Sequence, residues 1–225
     1  MNISLTRKIT SLILKTIVVL SAIVGVTIQI LLDSRDLLFF TIQSNIWIGA
    51  TCIIAIALML SKTPIKSCMY SIKLIFTVSI TLTGVVYCTI LAPFMGSKAY
   101  TLASTLLHVV GPIAAIADFF VYDCYHAYKK WECLTVTLPP LYYLAFAGIG
   151  YALNWDFGYG GHNYPYFFLN WGSPAGAFGF SDELPYIGVF YYVVILLVVV
   201  IGIGALYVFI ANRTTRNMKK HHPKG

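Results

Sequence analysis

Two polar residues that could form a nucleophile and a base each lie within a long apolar stretch. Thr41 lies in Phe-Phe-Thr-Ile-Gln-Ser-Asn, residues 39–45, and His108 lies in Leu-Leu-His-Val-Val-Gly-Pro, residues 106–112. A hydroxyl or an imidazole inside a membrane must find a partner or a water-lined cavity, so such groups mark functional sites by default. A neutral imidazole can take the proton of a threonine hydroxyl and make its oxygen a nucleophile. The pair therefore predicts hydrolytic chemistry, provided that the two side chains meet.

The residues around this pair have the helical spacing of supporting groups. Ser44 and Asn45 follow Thr41 by three and four residues, so the three side chains share one helix face. Pro112 follows His108 by four residues, which leaves the His108 carbonyl without its helical N–H donor and predicts a local bend. We expect Ser44 and Asn45 to contact substrate.

A base needs a third group that orients it, and the sequence offers several polar residues but no acid at this depth. The candidates are Tyr87, Gln29 and Asn45, and we expect Tyr87 and Gln29 to contact substrate as well. The absence of Asp or Glu there disfavours a Ser-His-Asp type of triad, and Asn45 or a tyrosine hydroxyl is the predicted oxyanion donor. In the alternative interpretation, Thr41 bonds its own helix backbone and His108 joins neighbouring helices.

The composition is that of a polytopic membrane protein. Of 225 residues, 59% are hydrophobic and 10% are charged, against about 25% charged in soluble proteins. Six apolar stretches reach the roughly 20 residues that cross a bilayer. The sequence thus predicts an all-α, single-domain bundle of six membrane-spanning helices at about 9–32, 37–60, 72–93, 101–122, 134–153 and 185–210. The first stretch is too long for a signal peptide and lacks a clear cleavage site, so we expect a retained helix.

The basic residues are distributed unevenly between the two ends of this bundle. All of them except Arg35 and Lys98 fall on one side, which predicts that both termini are cytoplasmic. Lys15 lies within the first span, and we expect its side chain to snorkel to the inner interface. The net charge of +7 needs no nucleic acid, since the positive-inside bias and a basic tail suited to anionic lipid headgroups account for it.

The outer segment 154–184 is the one long connection between spans. It is rich in glycine, proline and aromatic residues, and loops of this length usually have a function or are disordered. Its aromatic content favours a cap on the outer mouth of the bundle, from which His162, Tyr164 and Tyr166 would contact substrate. The alternative is a plain aromatic belt at the membrane interface.

Asp118 is the acidic residue placed deepest in a span. It could form an inner cluster with Asp123 and His126, but an interfacial ion pair with Lys129 or Lys130 is the favoured prediction.

Metal and disulfide chemistry are not expected. None of the five cysteines falls in an outer loop, and their spacing fits no zinc pattern. We therefore predict no metal and no cofactor.

The motifs around Thr41 and His108 resemble those of the androgen-induced membrane protein family, and most closely its bacterial six-helix branch. The resemblance rests on Phe-Thr-Ile-Gln-Ser-Asn, on Leu-Leu-His-Val-Val-Gly-Pro, and on the Tyr-Pro-aromatic stretch at 164–166 before the last helix. It implies an integral membrane threonine hydrolase that cleaves fatty acid esters of hydroxy fatty acids, with Thr41 as nucleophile and His108 as its partner. The animal members lack the Gln-Ser-Asn continuation. A bacterial inner membrane is the expected location.

Two other classes of function use the same polar residues. A transporter or channel would need polar groups that continue to the inner face, whereas few follow between Asn45 and Lys62. A lipid-binding or scaffold protein would need the cavity without the chemistry. The sequence favours a lipid-ester hydrolase with its site in the outer half of the bundle.

Overall fold

The protein is described by a computed structural model covering residues 4–96, 99–158 and 161–221. Lys98, two residues of the outer segment and the last residues of the basic tail lie outside these residues. The chain is 76% helical, and the described ranges contain no β-strand.

Six helices are long and apolar enough to span a membrane, which confirms the predicted all-α bundle and makes this an integral membrane protein. They are α1 Leu5–Leu32, α2 Phe40–Leu60, α3 Ser67–Met95, α4 Leu102–Tyr125, α5 Glu132–Ala152 and α6 Val189–Lys220. Several bounds differ from the predicted ones; α3 begins before 72, and α6 begins after 185 and continues past 210. Hydropathy marks only the hydrocarbon core, whereas a helix can continue through the headgroup region. We call the end that carries segment 154–184 the outer end.

Helices α1 to α4 pack around one another and form the centre of the molecule. α1 contacts α2 and α4, and α3 contacts the same two helices from the other side. Val18, Ile48 and Ile80 are buried at this centre. A second apolar cluster joins α3 and α4 to α5 and α6 through Leu74, Phe119 and residues such as Val200. The site therefore lies among the most tightly packed helices.

A buried ionic cluster lies in the inner half of the bundle. Lys15 Nζ is 2.9 Å from Asp118, and Lys73 pairs with both Asp118 and Asp123. All four side chains are at most 3% exposed, so the prediction that Lys15 snorkels to the interface was wrong. Because α1, α3 and α4 bring opposite charges to one depth, pairing inside the bundle replaces hydration.

The favoured partners of Asp118, Lys129 and Lys130, were also wrong, whereas Asp123 of the alternative inner cluster does share Lys73 with Asp118. Asp118 pairs with lysines of α1 and α3, whereas Lys129 and Lys130 lie beyond the end of α4. His126 forms no salt bridge with the described residues. Its ring stacks on Tyr70 with centroids 4.3 Å apart, and its Nε2 lies 3.1 Å from Ser67 Oγ. The cluster holds three helices together.

The outer segment forms a cap that packs into the bundle. Phe157, Phe168 and Leu169 are buried, which a plain aromatic belt facing the headgroups would not require. Arg35, between α1 and α2, pairs with Asp156 of the cap and with Asp33. The cap is thus tied to the α1–α2 connection, the segment that leads directly into Thr41.

Candidate active site

Two π-helical turns flank the site, one in α3 and one in α4. They cover Tyr87–Leu91 and Leu106–Val110, so Tyr87 and His108 each lie in such a turn. In α4 the Gly111 N–H donates to the Leu106 carbonyl, one residue farther back than in an α-helix. Isolated π turns of this kind are frequent at functional sites. The disturbance predicted from Pro112 takes this form, since proline cannot donate to the His108 carbonyl.

Two glycines allow α1 and α3 to approach α4 on both sides of His108. A Cβ atom on Gly84 of α3 would lie 3.0 Å from the His108 carbonyl oxygen, and one on Gly25 of α1 would lie 2.6 Å from Leu107 Cγ. Neither position has room for a larger residue. The turn that carries His108 is therefore packed closely against α3 on one side and α1 on the other.

Thr41 and His108 meet at the outer end of the bundle. Thr41 Oγ1 lies 3.3 Å from His108 Nε2, and His108 Nδ1 lies 2.9 Å from the Ser104 carbonyl oxygen. A carbonyl oxygen only accepts, so Nδ1 must carry the proton and Nε2 must offer its lone pair. The Thr41 hydroxyl then donates to Nε2, which is the arrangement that a general base requires.

The imidazole is held by groups that the sequence did not single out for that role. The backbone carbonyl of Ser104, one turn earlier in α4, fixes the tautomer, a task predicted for Tyr87, Gln29 or Asn45. Tyr87 contributes differently, because its ring stacks on His108 with centroids 3.6 Å apart and planes 14° apart. The Tyr87 hydroxyl donates to the Ala99 carbonyl and so keeps its own ring in place.

Asn45 and Ser44 support the backbone of the nucleophile. Asn45 Nδ2 donates to the Thr41 carbonyl at 2.8 Å and to the Leu107 carbonyl at 3.2 Å, which joins α2 to α4. Ser44 Oγ donates to the Thr41 carbonyl at 3.0 Å. Both side chains are buried and line neither cavity described below, and both hold the backbone of Thr41.

The donors best placed for an oxyanion are those at the start of α2. The α2 ladder begins with Gln43 N–H donating to the Phe39 carbonyl, so the N–H groups of Phe40 and Thr41 precede it at the positive end of the helix. The Tyr166 hydroxyl of the cap lies beside them. Burial raises the pKa of Tyr166 to about 12, and hydrogen bonding to the Thr41 side chain and to the backbone of Thr41 and Phe40 limits this rise. Tyr166 thus remains a donor at neutral pH.

An apolar cavity of about 80 Å³ opens on one side of Thr41. It runs between α2, α3, α5 and α6 beneath the cap. Its apolar lining is Phe40, Leu82, Val86, Leu91, Pro140, Leu141, Leu144, Phe168, Leu169, Val193, Leu196 and Leu197. Leu141 is 43% exposed on the outside of the bundle, so the cavity reaches the lipid-facing surface.

A more polar cavity of about 200 Å³ lies on the other side of Thr41. Its polar lining residues are Gln29, Asp36, Tyr87, Ser104 and His108. Thr41 and Tyr166 line both cavities, whereas His108 lines only the polar one. The nucleophile therefore stands at the junction between an apolar and a polar space.

Two residues predicted to contact substrate lie elsewhere. His162 is exposed and stacks on Tyr164 at 4.8 Å, and neither lines either cavity. Asp36, which was not among the predicted site residues, does line the polar cavity, and its position just before the start of α2 was the available signal. Among the described residues, no group of three His, Cys, Asp or Glu side chains could hold a metal ion.

Comparisons with family models, with curated proteins and with solved structures found no match for the chain.

Proposed function

We propose that the protein is an integral membrane hydrolase of long-chain lipid esters, with Thr41 as nucleophile and His108 as general base. One observation carries the proposal: the Thr41 hydroxyl faces the unprotonated nitrogen of an imidazole whose other nitrogen donates to the Ser104 carbonyl. The apolar cavity beside Thr41 adds a place for an acyl chain.

In the acylation step, His108 Nε2 takes the proton of the Thr41 hydroxyl while Oγ1 forms a bond to the ester carbonyl carbon. The carbonyl π electrons move to its oxygen, and the Tyr166 hydroxyl with the first N–H groups of α2 stabilises that charge. The intermediate then collapses, the bond to the alcohol oxygen breaks, and the leaving oxygen takes the proton from Nε2. The products are a free alcohol and an acyl ester on Thr41.

Water completes the reaction from the polar cavity, which His108 lines. Nε2 takes a proton from the water, whose oxygen attacks the acyl carbon. When the second intermediate collapses, the bond to Oγ1 breaks and Thr41 regains its proton from Nε2. A fatty acid leaves and the resting state is restored.

The family resemblance supports the same residues in the same roles. It adds fatty acid esters of hydroxy fatty acids as a substrate class and a bacterial inner membrane as the location. The location is part of the proposal, whereas the ester class is what the resemblance implies and is tested by the substrate comparison below.

Hydrolysis by the purified full chain in detergent micelles tests the proposal. Thr41→Ala and His108→Ala should each remove nearly all turnover of a long-chain p-nitrophenyl ester, and the losses should not add, since the two groups act as one unit. Thr41→Ser keeps an oxygen nucleophile and should retain some turnover. Thr51→Ala is the matched control, because this buried threonine of α2 bonds only the Trp47 carbonyl and lines neither cavity.

The rival function is lipid binding without chemistry. It predicts that the parent and the folded Thr41→Ala and His108→Ala proteins all hydrolyse the ester no faster than the protein-free background. That result would replace the hydrolase proposal with the lipid-binding one.

A further inference from the structure

The position of His108 decides which half of an ester occupies which cavity. This inference rests on the proposed function. The leaving alcohol oxygen must take its proton from Nε2, and His108 lines only the polar cavity. The alcohol half must therefore lie in the polar cavity, which assigns the acyl half to the apolar one.

The apolar cavity suits an unbranched acyl chain that arrives from the bilayer. Apart from Thr41, Thr83 and two tyrosine side chains, its described lining is hydrocarbon or aromatic. Leu141 of α5 lies at its lipid-facing side, so a chain can enter between helices without crossing water. The acyl half is thus selected by hydrophobicity alone.

The polar cavity carries a carboxylate that pairs with no cation of the described residues. Asp36 lines it, and the salt bridges within the described ranges do not include Asp36. Arg35 is next in sequence, but its guanidinium donates to Asp33 and Asp156. His108 supplies the only basic group among the described lining residues, and it must stay neutral to act as a base.

The pKa of Asp36 agrees with this geometry. Partial burial and the neighbouring Asp33 raise the pKa of Asp36, and Arg35 opposes this rise without cancelling it. A carboxylate in this position gains from hydroxyl donors and repels a second carboxylate. The Gln29 amide, on the same wall, can accept or donate.

We propose that the substrate is a fatty acid ester of a small neutral polyol, of the monoacylglycerol type. The polyol hydroxyls donate to Asp36 and Gln29 in the polar cavity, while the acyl chain fills the apolar cavity. A hydroxy fatty acid as the alcohol half would bring a second long chain and a carboxylate into the space that Asp36 lines. The polar cavity thus disfavours the ester class that the family resemblance implies.

Three esters of oleic acid test this selectivity on the purified full chain in detergent micelles. They are 1-oleoylglycerol, the oleate ester of 12-hydroxystearic acid, and the methyl ester of that second compound, which removes only its charge. We expect kcat/KM to be highest for 1-oleoylglycerol. Methylation should raise kcat/KM of the hydroxy-acid ester about tenfold, the factor that about 1.4 kcal/mol of like-charge repulsion produces.

Asp36→Asn should remove most of the difference between the charged and the methylated ester. Asp182→Asn, which neutralises an exposed acid in the cap, should leave that difference unchanged. Equal kcat/KM for the charged and methylated esters in the parent, or faster hydrolysis of the hydroxy-acid ester than of 1-oleoylglycerol, would overturn this inference while the hydrolase stands. If none of these esters and no p-nitrophenyl ester is hydrolysed, the proposed function falls and this inference falls with it.

Discussion

Replacing Asp118 with asparagine should strongly destabilise the bundle, because it removes the carboxylate at the centre of the buried ionic cluster. Asp118 accepts from Lys15 Nζ at 2.9 Å and from Ser11 Oγ at 2.5 Å, and it also pairs with Lys73. The substitution keeps the size of the side chain but removes its charge. Lys73 retains Asp123, whereas Lys15 loses the one carboxylate with which it pairs among the described residues.

The magnitude follows from burial. Asp118 is 0% and Lys15 1% exposed, so the ammonium left behind cannot reach water without moving the helix. Breaking a buried ion pair by removing one partner costs about 3–5 kcal/mol. We expect a loss in that range in the free energy of unfolding.

The assay is equilibrium unfolding in mixed micelles by titration with SDS, followed by circular dichroism. The matched control is Asp182→Asn, which makes the same chemical change at an exposed position of the cap and should stay within about 0.5 kcal/mol of the parent. The double variant Asp118→Asn with Lys15→Met removes both members of the pair. It should recover much of the loss, because Lys73 and Asp123 then balance each other.

Two outcomes would refute the reasoning. If the cluster were hydrated, Asp118→Asn would lower the free energy of unfolding no more than Asp182→Asn does. If the lysine and the aspartate did not interact, the double variant would lose the sum of the unfolding free energies that the two single variants lose.

Two further predictions concern the helix contact and the cap. Gly84→Ala puts a Cβ 3.0 Å from the carbonyl oxygen of His108, so it should lower kcat and cost about 1–3 kcal/mol in the free energy of unfolding. Gly148→Ala is the matched control, because its Cβ would meet no atom of the described residues packed around it within 4 Å, and it should change neither quantity. Equal effects on turnover would contradict the close contact of α3 with α4. The N–H of Gly158 and the side chain of Arg35 lower the pKa of Asp156 below its ordinary value of 3.8. The ion pair of Asp156 with Arg35 should therefore hold the cap in full above pH 3.8, and this stabilisation should be lost as the pH falls through the lowered pKa. The protection factors of the cap amides, which correct the exchange rate for its intrinsic dependence on pH, should therefore fall in acid, and unchanged protection factors would show that this ion pair does not hold the cap.

The six helices and the common depth of Thr41 and His108 were predictable, because they follow from hydropathy and from the rise of a helix. Apolar length fixes the number of spans, and one-dimensional rise places two residues at one level. The assignment of both termini to the cytoplasm rests on the positive-inside rule and stays a prediction. The sequence also predicted an ion pair for Asp118, but it favoured Lys129 or Lys130 as the partner, whereas the structure pairs Asp118 with Lys15 and Lys73.

What could not be predicted depends on rotation about the helix axes. Periodicity places Asn45 and Thr41 on one face but does not say which helix that face meets, so the sequence could not show that the Asn45 amide donates to two carbonyls. Lys15 was assigned to the interface because the sequence alone does not show that α1, α3 and α4 bring their charges together. The orienting group of His108 is a backbone carbonyl, which no residue type reveals.

The most direct test of the central claim is the covalent intermediate on Thr41. The purified protein would be mixed with a long-chain p-nitrophenyl ester, quenched in acid within the first turnover, digested and examined by mass spectrometry. The account predicts an added acyl mass on the peptide that contains residue 41, assigned to the threonine oxygen by fragmentation, and no such adduct in Thr41→Ala. Rapid hydrolysis by the parent with the acyl group on another residue, or undiminished hydrolysis by Thr41→Ala, would contradict the account.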